Sequence, residues 1–160
     1  MTDPIATDSV NLAARVLATA RARAMKIITA ESCTGGLIGA EFTSVAGASD
    51  VYDGGFITYS YAAKTAELGV PETMLGEHGA VSAPVARRMA EGALARSAGR
   101  AQIAISVTGI AGPGGGTEDK PVGLVWFGLA IKGQETLTKS LVFKGNRETV
   151  RSQTVDYALE

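Results

Sequence analysis

The sequence predicts an α/β fold: a three-layer α/β/α sandwich around a mixed, mostly parallel sheet of about five strands. Three observations carry this expectation. Short apolar, β-branched runs alternate with segments of helical spacing along most of the chain. One such run, Lys26-Ile27-Ile28, enters a helix through the small-polar turn Thr29-Ala30-Glu31-Ser32-Cys33-Thr34-Gly35-Gly36, which suits a strand inside a sheet. Near the end, two apolar runs meet across Lys132-Gly133-Gln134 and read as an antiparallel hairpin. The 160 residues suffice for one domain, 1–160, with a real core.

The elements follow in order. Asp8 or Ser9 is expected to open a first, Ala-rich helix with Val10, Ala13, Ala14, Val16 and Leu17 on one face and arginines near its end. After the first strand and its turn, Leu37, Ile38, Phe42 and Val45 mark a helix that stops near Ala46-Gly47. Residues 51–59 read as a turn and a second strand. Ser60 caps a short helix from Tyr61 to Leu68, halted by Gly69 and Pro71. A polar turn around Glu77-His78-Gly79 leads to Ser82-Ala83-Pro84, which starts a helix of residues 84–98 burying Val85, Met89 and Leu94. Residues 102–107 form a third strand, followed by the glycine-dense loop 108–116. Residues 122–131 and 137–143 supply the hairpin, and Asn146 opens a last helix with Val150, Val155, Ala158 and Leu159 turned inward.

Composition narrows the function classes. Hydrophobic residues make up 46%, charged residues 19%, and the net charge is −1, which describes a folded globular chain. With no basic run and a single Trp, no nucleic-acid partner is expected. One cysteine cannot form an internal disulfide, and one Cys with one His does not make a structural zinc site. No stretch approaches ~20 apolar residues, so no membrane partner is expected. Met1-Thr2-Asp3-Pro4 has neither the basic start nor the apolar run of a signal peptide, so a cytoplasmic protein is expected. A homo-oligomer, dimer or higher, is compatible with the Tyr- and Ala-rich helices.

Two loops could carry chemistry. Thr34, Gly35 and Gly36 in the first, and Thr108, Gly109, Gly112, Gly114 and Gly115 in the second, each follow a strand. If those strands are parallel, both loops share an edge and could cradle a phosphate with backbone amides. A capped turn in one and a tight turn in the other account for the same residues structurally. Neither loop has the dinucleotide G-x-G-x-x-G or the P-loop Gly-Lys-Ser/Thr pattern. Lys64 lies one turn after Ser60 and Tyr61 and could act as a base only if its pKa fell by ~3 units; otherwise it is a solvated helix lysine. Ser60 and Lys64 miss the Ser-x-x-Lys spacing by one residue. His78, the single histidine, has no G-x-S-x-G partner and suits a turn or cap. Cys33 is either a thiolate nucleophile at a helix start or a small core residue. Arg147 and Arg151, four apart, either grip an anion or sit on a surface helix.

Several of these stretches together resemble a known family. The turn 29–36, Gly55-Phe56-Ile57-Thr58-Tyr59-Ser60 with Lys64, and His78-Gly79-Ala80-Val81-Ser82 all carry it. So do residues 108–116 and Lys120-Pro121-Val122-Gly123-Leu124-Val125-Trp126. In order and over residues 8–159, the chain resembles the CinA C-terminal domain family, whose active members are nicotinamide-nucleotide amidohydrolases. The resemblance implies hydrolysis of nicotinamide mononucleotide to nicotinate mononucleotide and ammonia, a step of pyridine nucleotide salvage, with no metal or cofactor. It implies Ser32 as nucleophile, Lys64 as general base and Tyr59 as a supporting tyrosine. It also implies Thr108 near the reacting amide and Arg147 as the arginine of a Gly-x-Arg segment. Larger members carry a further N-terminal domain, and the chain resembles the stand-alone form. A non-catalytic nucleotide-binding module and a cysteine hydrolase using Cys33 are the alternatives. A further expectation is that Cys33, beside the nucleophile, makes the enzyme sensitive to oxidation.

Overall fold

A computed structural model describes residues 4–160, with side chains from Asn11 onward. Helix α1 spans Pro4–Ala22, starting several residues before the expected Asp8 or Ser9. Met1, Thr2 and Asp3, and the side chain of Val10, lie outside the described residues. Strand β1 (Ile27–Glu31) is buried on both faces and leads to α2 (Leu37–Ser44), a short 3-10 turn (Ala48–Asp50) and β2 (Tyr52–Ile57). Then come α3 (Tyr61–Leu68), α4 (Glu72–His78) and α5 (Ala83–Arg96). Strands β3 (Ile103–Gly109), β4 (Leu124–Ile131) and β5 (Leu137–Val142) precede the closing α6 (Arg147–Leu159).

The five strands run in the order β2-β1-β3-β4-β5. β1 pairs in parallel with β2 and β3, while β4 pairs antiparallel with β3 and β5, so the sheet is mixed as expected. Register places Glu31 of β1 opposite Ile57 of β2 and Val107 of β3. Three strands therefore deliver their carboxyl ends, and the loops after them, to one edge.

Period-two alternation along the strands assigns each side chain to a helical layer. Ile27, Ile105, Val107, Val125 and Phe127 face α1, α2 and α6, where they meet Leu17, Phe42, Val150 and Leu159. Ile28, Ala30, Ala104 and Ala130 face α3, α4 and α5, meeting Leu68, Leu75, Val85 and Met89. Burying a side chain such as Phe42 contributes about 1.5–3 kcal/mol, so these two cores dominate the stability. The second core uses small sheet residues because α5 lies close: Ser106 Oγ donates to the Ala86 carbonyl of α5 at 2.6 Å. At Gly128 of β4 a Cβ would stand 2.6 Å from that same carbonyl.

Two further elements differ from the sequence expectation. β1 runs three residues further, through Thr29-Ala30-Glu31, which had read as part of the turn. The segment before His78 is a helix, α4, rather than only a polar turn. The caps hold: Ser60 Oγ accepts from Ala63 N, and Asn146 Oδ1 from Thr149 N. Among the described residues, no helix is long and apolar enough to cross a membrane.

Candidate active site

The alternation that sends Glu31 toward α2 sends Ser32 to the opposite side, toward α3. Ser32 N donates to the Val107 carbonyl at 3.1 Å, carrying the ladder one residue past the strand. The Glu31 carboxylate, 1% exposed, turns back under the start of α2. Its Oε1 accepts from Thr34 Oγ1 at 2.6 Å, Gly36 N at 3.2 Å and Ile38 N at 2.9 Å, and its Oε2 from Gly39 N at 3.0 Å. A buried carboxylate is tolerated when it is bonded this fully, and the helix dipole adds to the attraction. The turn needs φ of 59° at Gly35 and 104° at Gly36, values that glycine supplies without steric cost.

Thr34, Gly35 and Gly36 were read as an anion cradle, and the chain's own Glu31 carboxylate occupies part of this helix start. The Thr34 hydroxyl and the Gly36 amide are bonded to it, and the Gly35 amide donates to the Ser32 carbonyl. Among the described residues, the amides of Cys33 and Thr34 make no backbone hydrogen bond.

α3 places Lys64 beneath Ser32. The lysine is 1% exposed, the serine 7%. Nζ lies 2.8 Å from Ser32 Oγ, 2.6 Å from the Thr58 carbonyl oxygen and 3.3 Å from that of Tyr59. An ammonium would donate to all three. A neutral amine would donate to the two carbonyls and aim its lone pair at the Ser32 hydroxyl. Burial favours the neutral form and pulls the Lys64 pKa down to about 8, against a smaller opposing influence from Cys33. Sequence spacing alone pointed at Ser60 as the neighbour of Lys64; Ser60 is the N-cap of α3, and the contact is with Ser32, 32 residues away.

Tyr59 meets Lys64 through its carbonyl, not its ring. The phenol is 65% exposed, and its hydroxyl accepts from Arg147 Nη2 at 3.1 Å. Arg147 Nη1 donates to the Gly112 carbonyl at 2.8 Å, so it links the end of β2 to the glycine loop. Thr108 is buried, and its hydroxyl donates to the Ala80 carbonyl at 2.9 Å, holding the loop before α5. At Gly109 a Cβ would sit 2.6 Å from Val125 Cγ2, and at Gly112 2.4 Å from Val122 Cγ1, so both serve close approach. Gly114 and Gly115 are exposed.

The remaining candidates separate. His78 ends α4, and its carbonyl is capped by Lys120 Nζ. Cys33 is 5% exposed, and burial pushes its thiol up to about 11, so it stays protonated at neutral pH. That opposes both the thiolate reading and an easily oxidised sulfur. Among the described residues, no three His, Cys, Asp or Glu side chains are grouped to hold a metal.

Three contributors were missed or underrated. Glu31 had no assigned role, although an acid in an apolar, strand-like context must find buried partners. The Thr58 carbonyl carries no side-chain signal at all. Arg151 was weighed as an anion grip or a surface arginine; its Nε donates to the Cys33 carbonyl at 3.0 Å and its Nη2 to the Thr34 carbonyl at 3.3 Å.

Residues 9–160 match the family model described as the CinA C-terminal domain. The chain is 49% identical over 140 residues to the nicotinamide-nucleotide amidohydrolase PncC of Escherichia coli K12, a match covering 88% of this chain and 84% of that protein. It is 52% identical over 135 residues to a CinA-like protein of Akkermansia muciniphila; that match covers 84% of this chain but spans about a third (32%) of the longer relative. The crystal structure of the competence/damage inducible protein CihA from Agrobacterium tumefaciens superposes with a TM-score of 0.91 at 44% identity, covering 95% of this chain and 92% of that one.

Proposed function

The chain belongs to the CinA C-terminal domain family, and on that premise we propose that it hydrolyses the carboxamide of nicotinamide mononucleotide to the carboxylate and ammonia. The observation that carries the reading is the 2.8 Å contact between Lys64 Nζ and Ser32 Oγ, with two backbone carbonyls taking the other lysine protons. A pure binding module needs neither a buried lysine nor a serine aimed at it, and burying that lysine costs stability.

The chemistry follows from these groups. Neutral Lys64 takes the Ser32 proton as Oγ bonds to the carboxamide carbon, and the carbonyl π electrons move onto oxygen. The amides of Cys33 and Thr34, which make no backbone–backbone hydrogen bond among the described residues, are the donors suited to that oxyanion. As it collapses, the C–N bond breaks and the Lys64 ammonium gives its proton to the departing nitrogen, releasing ammonia. Water then attacks the Ser32 ester, Lys64 accepts its proton, and Oγ leaves and is reprotonated. Arg147, with Gly114 and Gly115 beside its loop, is our choice for the nucleotide phosphate. We take the reaction to be one of pyridine nucleotide salvage in the cytoplasm. The proposed dimer or higher oligomer is tested by mass photometry.

The test is ammonia release from nicotinamide mononucleotide with EDTA present, for the wild type and three variants. Ser32→Ala and Lys64→Ala should each lose at least on the order of 10³-fold in kcat, while Cys33→Ala stays near wild type. Release that survives Ser32→Ala removes the serine mechanism. No release by the wild type, with a thermal shift on adding the nucleotide, supports a binding module instead.

A further inference from the structure

The peptide groups after Ser32 are held from the α6 side by a single side chain. Arg151 donates through Nε to the Cys33 carbonyl at 3.0 Å and through Nη2 to the Thr34 carbonyl at 3.3 Å, although it lies 118 and 117 residues away in sequence. In a trans peptide the C=O and N–H point in opposite directions. A Cys33 carbonyl held toward α6 therefore turns the Thr34 N–H away from α6. The α3 side, where Lys64 Nζ meets Ser32 Oγ, is the side opposite α6 in the sandwich. The Thr34 carbonyl, shared between the same guanidinium and Leu37 N at 3.1 Å, leaves the next N–H, that of Gly35, on the Ser32 carbonyl. Thr34 is also fixed through its hydroxyl by Glu31. The result is a turn whose Thr34 amide makes no backbone–backbone hydrogen bond among the described residues and is aimed by a residue from another layer.

We propose that Arg151 is the positioning residue of the oxyanion hole. By holding the carbonyls of Cys33 and Thr34, it directs the Thr34 N–H at the oxyanion that forms when Ser32 attacks. This rests on the amidohydrolase reading above. It separates the two α6 arginines: Arg147 meets the substrate, and Arg151 acts through the turn. A planar fork suits the task, because two carbonyls must be held at a fixed relative angle; a lysine offers one point charge.

The experiment measures kcat and KM for nicotinamide mononucleotide with Arg151→Ala, Arg151→Lys and Arg147→Ala, alongside melting temperatures. An oxyanion donor is used in the transition state, so both Arg151 variants should lose about 10²-fold in kcat with KM changed less than about threefold. Arg151→Lys keeps charge and bulk and covers the case in which Arg151→Ala fails to fold. Added guanidinium should restore part of the kcat of Arg151→Ala. Arg147→Ala should instead raise KM. A raised KM with kcat retained in the Arg151 variants would make Arg151 a phosphate ligand and overturn the proposal; unchanged kinetics would also overturn it. A wild type that releases no ammonia fails the amidohydrolase reading first, and the oxyanion role falls with it.

Discussion

In the proposed mechanism Lys64 is the residue on which the chemistry turns, because its protonation decides whether Ser32 meets an acceptor or a donor. Burial draws its pKa down to about 8, while Cys33 pulls weakly the other way. The neutral fraction then rises about tenfold per pH unit below that value and saturates above it. We expect log kcat/KM to climb with unit slope and level off near pH 8, a profile read from initial rates between roughly pH 6 and pH 10. A profile flat through that range would exclude Lys64 as the base. Much of this site was legible in the sequence: Ser32 sits in a strand-to-helix turn, and the resemblance paired it with Lys64. What was not legible is carried by the backbone. The carbonyls of Thr58 and Tyr59 orient Nζ, and no residue type announces a carbonyl. Tyr59 was expected as a supporting tyrosine, and its contact with the lysine is through the main chain.

At the scale of the element, the sequence was most readable where caps and breakers mark boundaries. Ser60 and Asn146 cap as read, and Tyr61 to Leu68 is the helix found. It was least readable at Thr29-Ala30-Glu31, small and polar residues that form strand because β1 is central and paired on both sides. Close approach between helices is another hidden feature, since it shows only as a glycine. At Gly92 of α5 an added Cβ would stand 2.0 Å from the Leu68 carbonyl oxygen of α3, a backbone atom that cannot step aside. Gly92→Ala should therefore destabilise by roughly 2–4 kcal/mol, outweighing the ~1 kcal/mol that alanine gains in a helix. Gly76, on the exposed side of α4 with nothing within 4 Å of an added Cβ, is the control. Gly76→Ala should be neutral or stabilising by up to ~1 kcal/mol in the same urea titration. Because α3 carries both Leu68 and Lys64, Gly92→Ala should also lower kcat, and Gly76→Ala should leave it unchanged. Equal stability for the two variants would mean that α3 and α5 are not packed this closely.

Over the whole molecule, the two helical layers contribute different halves of the site. α6 supplies Arg147 and Arg151 from one layer, α3 supplies Lys64 from the other, and the carboxyl edge of the sheet holds Ser32 between them. Bringing a lysine into that position opposes folding, and the opposition depends on pH in a calculable direction. The folded chain releases the Lys64 proton at about 8, whereas the ordinary value is 10.5. Between those values the unfolded chain holds more protons, so stability rises with pH across that window. Below it the penalty is complete, about 3 kcal/mol, and above it the penalty is gone. Replacing the lysine by methionine removes this dependence but also strips donors from two backbone carbonyls, each worth about 1–3 kcal/mol when buried and unpaired. The net change at one pH is thus a balance of opposing effects, but its slope with pH is not. Cys33 works in reverse: its raised pKa loses stability as pH rises from 9 toward about 11, and since burial outweighs its coupling to Lys64, most of this contribution is common to both proteins. The unfolding free energy of the wild type relative to Lys64→Met, measured by urea titration from about pH 7 to pH 10, should therefore rise with pH whatever its sign at pH 7. Parallel curves would mean that the folded protein carries the lysine charged at every pH tested. The amine would then have no free lone pair for Ser32, and the proposed proton transfer would have no acceptor.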